Sequence, residues 1–198
     1  MPLTLLGAGS GTRIGTLILD RFTDSSGTAL TTHTPDRNTA GGGWVAGIGT
    51  WDIEANRAEL AVGAGSYNTV RIDSGSSRYR INCDLFTGTK AYSGFIVRAA
   101  SSNSNIEVEL ALTENEVQIV RNDGGVRTAI STGGDVAANT LYAVKIDVTT
   151  ATIECSLNGS TVVSVSTNFN QAQTNVGLCT WDIGSSGSYW DNFQVLPL

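Results

Sequence analysis

Closely spaced turns are the feature of this sequence that most constrains its fold. Clusters of Gly, Ser, Asn and Asp interrupt the chain every 8 to 14 residues, and these residue types favour turns. Gly, Thr, Ser and Asn, which all disfavour helix interiors, together occupy 80 of the 198 positions. Charged residues make up only 15% of the chain, so long amphipathic helices would lack solvent-facing side chains. The sequence therefore predicts an all-β domain and excludes coiled coils.

Alternating apolar and polar residues predict where the strands lie. Residues 106–110 and 144–148 each alternate in this way, which gives a strand one buried and one solvent-facing side. Residues 153–165 predict a hairpin, because Asn158-Gly159 supplies the two positive-φ positions of a type I′ turn. The turn spacing predicts about twelve antiparallel strands in a sandwich. In the first half, the predicted strands are Leu17–Phe22, Trp51–Ile53, Ala58–Val62, Thr69–Ile72 and Tyr79–Phe86.

Residues 1–16 differ from the rest of the chain. They combine Gly with scattered apolar residues and have no strand or helix periodicity. One interpretation is an extended N-terminal arm that docks on another subunit or protein. The alternative is a frayed terminus that covers an edge of its own domain, which would span residues 17–198. The apolar residues predicted to make the contacts are Leu3, Leu5, Leu6 and Ile14.

Net charge, cysteine usage and hydropathy exclude several classes of function. The net charge of −6 comes with no basic cluster, so no nucleic-acid partner is expected. No apolar run is long enough for a membrane span, and no signal peptide is expected. Cys83, Cys155 and Cys179 are predicted to be small buried hydrophobes in a protein made in a reducing cytosol. With no C-x-x-C pair and a single histidine, neither a metal site nor any cofactor is expected.

Several short motifs follow one another in a recognisable order. They are Asp20-Arg21-Phe22, Gly27-Thr28-Ala29-Leu30, His33-Thr34-Pro35-Asp36, Trp44, Gly49-Thr50-Trp51-Asp52-Ile53, Asn56-Arg57-Ala58 and Asp191-Asn192-Phe193-Gln194-Val195. In this order they resemble the concanavalin A-like lectin/glucanase (laminin G-like) jelly rolls of the type found in bacteriophage structural proteins. The resemblance covers residues 17–198 and implies two stacked, curved antiparallel sheets with adjacent first and last strands. Because this fold supports lectins, glycosidases, adhesive modules and capsid parts, it does not specify a function.

The acidic residues offer little material for catalysis. Glycosidases with this fold use paired carboxyls on one strand face, typically as E-x-D-x-x-E. Glu107 and Glu109 would share a face, but Glu114 departs from that spacing. His33 matches a loop position of the family pattern. It is therefore predicted to anchor the loop by hydrogen bonds and not to act as a catalytic base. We therefore expect no catalytic residues and a protein that is not an enzyme.

Aromatic residues and loop acids are candidates for binding. Trp44 and Trp51 match core positions of the family pattern. The other aromatic residues available for sugar binding are Tyr67, Tyr92, Trp181, Tyr189 and Trp190, and of these Trp181, Tyr189 and Trp190 are the predicted glycan contacts. Some relatives hold calcium; here Asp73, Asp123 and Asp135 are conceivable ligands, but no spacing singles them out.

The tetrapeptide Thr-Trp-Asp-Ile occurs twice, at residues 50–53 and 180–183. No similar sequence lies between the two copies, so they do not indicate a repeat array. We interpret them as similar strand compositions in which each tryptophan closes an edge of the core.

Three functional hypotheses follow, of which an enzyme is the weakest. The first is a non-enzymatic virion structural protein, a capsid decoration or cement protein assembled in the host cytoplasm. Its arm would bind the major capsid protein or another virion protein, and a homo-oligomer, with a trimer favoured, would match the local symmetry of the shell. The alternative is a carbohydrate-binding module of a phage tail fibre, a tailspike or an adhesive surface protein. The third is a glycoside hydrolase.

Overall fold

A computed structural model describes residues 15–65, 67–89, 92–181 and 187–198. These residues form seventeen β-strands and no helix, so none could span a membrane as a helix. The all-β prediction is confirmed. The predicted number of about twelve strands is wrong, because very short strands inside the loops add to the long ones. The proposed arm contacts Leu3, Leu5, Leu6 and Ile14 lie outside the described residues and stay a prediction.

The described strands form two antiparallel sheets. In the larger, ten-stranded sheet the order is β15-β14-β13-β8-β17-β6-β5-β2, and β1 joins β17 to β3. The first strand pairs with the last through Ile18 and Val195, as the family resemblance implied. The strands of this sheet are β1 (Ile18–Asp20), β2 (Thr28–Ala29), β3 (Arg37–Asn38), β5 (Thr50–Ile53), β6 (Ala58–Val62), β8 (Tyr79–Thr87), β13 (Thr140–Val148), β14 (Thr152–Leu157), β15 (Ser160–Ser166) and β17 (Tyr189–Pro197).

The smaller sheet has seven strands among the described residues, in the order β12-β11-β10-β9-β16-β7-β4. Its central strands are long, and β9 pairs with β10 and β16 over most of their length, with register shifts only near Ser104–Ile106 and Asn175–Gly177. The strands are β4 (Val45–Ile48), β7 (Tyr67–Asp73), β9 (Tyr92–Ser101), β10 (Ser104–Ala111), β11 (Glu116–Asp123), β12 (Val126–Gly133) and β16 (Asn175–Trp181).

The hydrophobic core lies between the two sheets. Alternate residues of each strand point into it, for example Ile106, Val108 and Leu110 of β10. Burial of such side chains stabilises the fold by about 25 cal/mol per Å² of apolar surface. The predicted alternation in β10 is therefore confirmed. The expectation that the polar face of β10 is exposed to solvent is wrong, because Glu107 and Glu109 on that face are both 0% exposed.

The motif at the start of the domain forms a buried hydrogen-bond network. Asp20 Oδ1 accepts a hydrogen bond from the backbone N–H of Phe22 at 2.8 Å and lies 2.9 Å from His33 Nε2. Its other oxygen accepts from Trp44 Nε1 at 2.8 Å. Each buried polar atom needs a hydrogen-bond partner. Here the partners of Asp20 lie in two loops, so the network connects the first strand to both. The prediction that His33 is a loop anchor is confirmed.

Local turn chemistry and cysteine burial also follow the sequence. Asn158 and Gly159 join β14 to β15 with φ values of 50° and 86°, as a type I′ turn requires. The predicted hairpin is confirmed. Cys83, Cys155 and Cys179 are free and buried, which confirms their prediction as small buried hydrophobes.

Candidate functional site

The outer face of the seven-stranded sheet, which points away from the core, is strongly curved. Arg127 of β12 and Trp181 of β16 both lie on this face, and the Arg127 Cζ atom is 4.0 Å from the centroid of the Trp181 ring. Their strands are separated by β11, β10 and β9, which on a flat sheet is about 19 Å at the usual strand spacing. The two side chains could not meet across that distance. The sheet therefore bends toward its outer side, and we call this surface the concave face.

Two glycines on the central strands allow the sheet to bend. Gly94 of β9 and Gly177 of β16 point toward the concave face. A Cβ atom at Gly94 would lie 2.1 Å from the Val108 carbonyl oxygen, and one at Gly177 would lie 1.9 Å from that of Val70. Neighbouring backbones therefore approach these two positions more closely than any other residue type would permit.

Two buried glutamates and one arginine form the polar centre of the concave face. Arg127 Nε donates to Glu107 Oε2 at 2.9 Å, and Arg127 Nη2 donates to Glu109 Oε2. Asn122 Nδ2 donates to the other oxygen of Glu107 at 2.8 Å. The side chain of Arg127 is 23% exposed. The guanidinium is thus held in one orientation by two carboxylates, and part of it remains accessible. We call Glu107, Glu109 and Arg127 the carboxylate–arginine cluster.

An aromatic stack packs beside this cluster. The rings of Tyr67 and Trp181 stack with centroids 4.7 Å apart and an interplanar angle of 29°. Arg127 lies over the same indole, and its Cζ atom is 5.9 Å from the ring of Tyr92. Asn105 Nδ2 donates to the hydroxyl of Tyr67 at 3.3 Å. Cation–π and stacking contacts therefore connect both ends of the concave face.

Unpartnered buried polar atoms are concentrated on the concave face. Among the described residues, seven buried side-chain N or O atoms have no hydrogen-bond partner, and four of them belong to this face. A buried polar atom left in this way costs about 1–3 kcal/mol, so such a concentration calls for an explanation. The face therefore holds buried acceptors and donors whose hydrogen-bonding capacity is unused. The four atoms are Thr69 Oγ1, Asn105 Oδ1, Glu109 Oε1 and Trp181 Nε1.

Burial and charge shift several pKa values on this face. Burial, followed by the neighbouring charge of Glu107, raises the pKa of Glu109 well above its usual range. Burial lowers the pKa of Arg127, but the charges of Glu109 and Glu107 outweigh this and raise it overall. Burial also raises the pKa values of Tyr67 and Cys179. The arginine is therefore the permanent charge of the site, and burial disfavours ionisation of Glu109.

The three aromatic residues predicted from sequence as glycan contacts lie in three different environments. Trp181 lies on the concave face. Trp190 is 0% exposed and donates from Nε1 to the Gly94 carbonyl at 3.1 Å, so its prediction as a surface contact is wrong. Tyr189 lies on the outer face of the other sheet.

The ring of Tyr189 is already covered by its neighbours. It stacks on Phe86, with centroids 4.9 Å apart and an interplanar angle of 10°. The Cζ atom of Arg57 lies 4.1 Å from its centroid. In the sheet, β17 lies between β6 and β8, so the two contacts come from opposite neighbours. The structure therefore does not bring Tyr189 together with Trp181.

The other acidic residues considered from sequence do not join the cluster. Glu114 Oε1 accepts a hydrogen bond from the hydroxyl of Tyr92 at 2.7 Å. In the described part of the chain no group of three or more His, Cys, Asp or Glu is arranged to hold a metal ion. Asp73 instead accepts from the backbone N–H of Gly75 at 2.8 Å, and Asp123 pairs with Arg121 at 2.8 Å.

The sequence pattern does not identify every member of the site. Arg127 and Asn105 come from different strands and belong to no motif. Tyr67 and Tyr92 are among the aromatic residues available for sugar binding, but no sequence pattern places them beside Trp181. One signal was available, because Glu107 and Glu109 were expected to share a face, and two adjacent carboxylates in a chain with few cations need a basic partner when buried. The identity of that partner depends on the strand order, which the sequence pattern did not provide.

The fold is similar to that of solved carbohydrate-binding domains. The carbohydrate-binding module CBM66 from Bacillus subtilis has a TM-score of 0.64 at 12% identity, covering 77% of this chain and 94% of that chain. Domain 4 of AbnA, a GH43 extracellular arabinanase from Geobacillus stearothermophilus solved in complex with arabinotriose, has a TM-score of 0.58 at 12% identity, covering 92% of both chains. A Bacillus subtilis protein of unknown function with a galectin-like fold has a TM-score of 0.56 at 9% identity, covering 78% and 89%.

These similarities are in three-dimensional structure and not in sequence. No protein-family model matches the chain, and no curated protein matches it in sequence. At such low identities the solved structures confirm the predicted jelly-roll sandwich and do not bear on the predicted virion location, capsid partner or trimer, which stay predictions.

Proposed function

We propose that this domain is a carbohydrate-binding module that holds an oligosaccharide against the concave face. The observation that carries the proposal is the concentration of four unpartnered buried polar atoms around the carboxylate–arginine cluster. Ligand sites typically combine a concave shape with a few fixed polar groups that orient the ligand. The similarity of the fold to a carbohydrate-binding module and to a domain solved with arabinotriose supports the same function.

Sugar hydroxyls can both donate and accept hydrogen bonds, so they match the mixed character of this face. In the proposed complex one hydroxyl donates to Glu109 Oε1 and another accepts from Trp181 Nε1. Arg127 uses Nε and Nη2 for the glutamates, and within the described residues its Nη1 makes no hydrogen bond, so it can donate to a third hydroxyl. Because both glutamates fix the guanidinium beforehand, little conformational entropy is lost on binding.

This proposal favours the sequence-based alternative of a binding module. The module would serve in a tail fibre, a tailspike or another adhesive surface protein, as expected from the resemblance. Glu107 and Glu109 act in it as structural carboxylates that orient Arg127, in keeping with the prediction that the protein is not an enzyme.

The proposal is tested by identifying a bound glycan on an array and measuring its affinity by calorimetry for two conservative variants. Trp181→Phe keeps an aromatic ring on Tyr67 but removes the indole N–H, and we expect a loss of about threefold to tenfold in affinity. Arg127→Lys keeps the positive charge but loses the planar fork, and we expect a loss of about tenfold or more.

Tyr189→Ala is the matched control, because Tyr189 is an aromatic residue on the opposite sheet that sequence alone also suggested as a glycan contact. It should bind with wild-type affinity. An array without any saturable glycan interaction would refute the proposal. Equal losses for Tyr189→Ala and Trp181→Phe would refute its assignment to the concave face.

A further inference from the structure

The charges on the concave face restrict which sugars it can accept. Glu107 and Glu109 are both 0% exposed and share one guanidinium, that of Arg127. Glu114 adds a further carboxylate beside Tyr92. Among the described residues, the other cation on this face is Arg71 of β7, whose Nη1 donates to Ser102 Oγ at 3.3 Å. Around the unpartnered Glu109 oxygen, the described carboxylates therefore outnumber the described cations.

We infer that the concave face selects neutral sugars and rejects sugars that carry a carboxylate, such as uronic and sialic acids; this inference rests on the proposed carbohydrate-binding function. An arginine can receive a ligand carboxylate when its paired N–H groups are free. Arg127 has already engaged Nε and Nη2 with Glu107 and Glu109. It therefore cannot offer that paired edge to an acidic sugar.

Hydrogen-bond chemistry leads to the same restriction. Two of the unpartnered atoms are acceptors: Asn105 Oδ1, and Glu109 Oε1 in the ionised carboxylate that receives a hydrogen bond from Arg127. A ligand must therefore donate hydrogen bonds to them. A sugar hydroxyl can do so, whereas an ionised sugar carboxylate can only accept. Replacing a hydroxymethyl group by a carboxylate removes a donor and adds a charge.

Electrostatic repulsion would make the discrimination large. A third carboxylate near Glu107 and Glu109 would interact with charges that burial removes from the screening of water and salt. An unfavourable charge placed against the wrong ligand is an effective source of specificity. We expect a preference of about tenfold or more for the neutral member of a matched sugar pair.

The test uses the wild-type protein and a glycan array of neutral hexose oligosaccharides printed beside their C6-carboxylated counterparts, which differ only by oxidation of the primary hydroxyl. The affinity of each pair is then measured by calorimetry. Glu109→Gln removes an ionisable carboxylate at nearly constant shape. It should narrow the preference for neutral sugars several-fold, and more at pH 8 than at pH 6, because ionisation of Glu109 increases with pH. Glu116→Gln, which removes a carboxylate from the same face without a contact to Arg127 among the described residues, is the matched control and should leave it unchanged.

The outcomes separate this inference from the proposed function. Binding of neutral sugars with their carboxylated counterparts at least about tenfold weaker supports the inference. Equal or tighter binding of the carboxylated sugars overturns it and leaves the proposed function standing. If no sugar of either kind binds, the proposed function is refuted and the inference falls with it. Thermal unfolding of both variants verifies that they are folded.

Discussion

The two tryptophans of the repeated tetrapeptide Thr-Trp-Asp-Ile occupy opposite kinds of environment. Trp51 is 3% exposed in the core and meets Trp190 edge to face at 5.3 Å. Its Nε1 donates to the Ile48 carbonyl at 3.4 Å. Trp181 lies on the concave face between Tyr67 and Arg127, and its Nε1 has no partner among the described residues. The interpretation that each tryptophan closes an edge of the core is thus confirmed for Trp51, whereas Trp181 packs against a second, smaller apolar cluster outside the main core.

The difference arises from which alternate residues of each strand face the core. In β5, Trp51 and Ile53 face inward. In β16, Val176 and Leu178 face inward. Because side chains alternate along a strand, Thr180 also faces inward and Trp181 faces outward. A shift of one residue in register moves every side chain of a strand to the other face. Identical local sequence therefore carries no information about which face a residue occupies.

The largest expected effect is a difference in stability between two tryptophan substitutions. Trp51→Ala should lower the free energy of unfolding by about 3–5 kcal/mol, because it leaves a cavity in the core. Trp181→Ala should cost clearly less, since a partly exposed side chain loses less burial. Urea unfolding monitored by circular dichroism measures both values. Equal losses would contradict the assignment of the two tryptophans to different environments.

A smaller effect is expected in the pH dependence of the free energy of unfolding. It should originate on the concave face, where Glu109 and Trp181 lie. The raised pKa of Glu109 means that the folded protein binds more protons than the unfolded chain above about pH 4.3, the usual value for a glutamate. Its stabilising contribution is therefore complete below that pH and is lost as pH rises through the folded pKa.

Glu109→Gln removes this titration, so its stability relative to wild type should increase between pH 4 and pH 8, by an amount on the order of 1 kcal/mol. Urea unfolding at pH 4, 6 and 8 measures the trend. Glu116→Gln corrects for the general loss of one negative charge from the same face. A relative stability that falls as pH rises would show that the carboxylate is favoured by Arg127 more than it is penalised by burial.

An effect of similar size is expected where local sequence alone determines the structure. Asn158 has a φ of 50°, and its Oδ1 accepts from the Ala143 backbone N–H at 3.0 Å. Asn158→Ala should cost about 1–2 kcal/mol, because Ala disfavours positive φ and cannot accept that hydrogen bond. Asn158→Gly keeps the φ and should lose less. If the two variants were equally destabilised, backbone conformation would not be the main contribution of Asn158.

Much of the fold could be predicted from the sequence. Period-two alternation marked β10 and β13, turn residues marked the hairpin at Asn158-Gly159, and the order of motifs indicated a jelly roll. The site was only partly predictable. Trp181 and the shared face of the two glutamates were anticipated, whereas Trp190 is buried and was assigned wrongly. Tyr189 lies on the other sheet, where Phe86 and Arg57, both distant from it in sequence, pack on its ring.

The sequence by itself determined the strands, the tight turns and the absence of long helices, because alternation and turn preferences act over a few residues. Only the tertiary structure decided which face of each strand is enclosed and which side chains meet. The contact of Arg127 with Glu107, Glu109 and Trp181 requires the strand order and the bend of the sheet at Gly94 and Gly177. Those features arise from packing between strands far apart in the chain, so no local pattern encodes them.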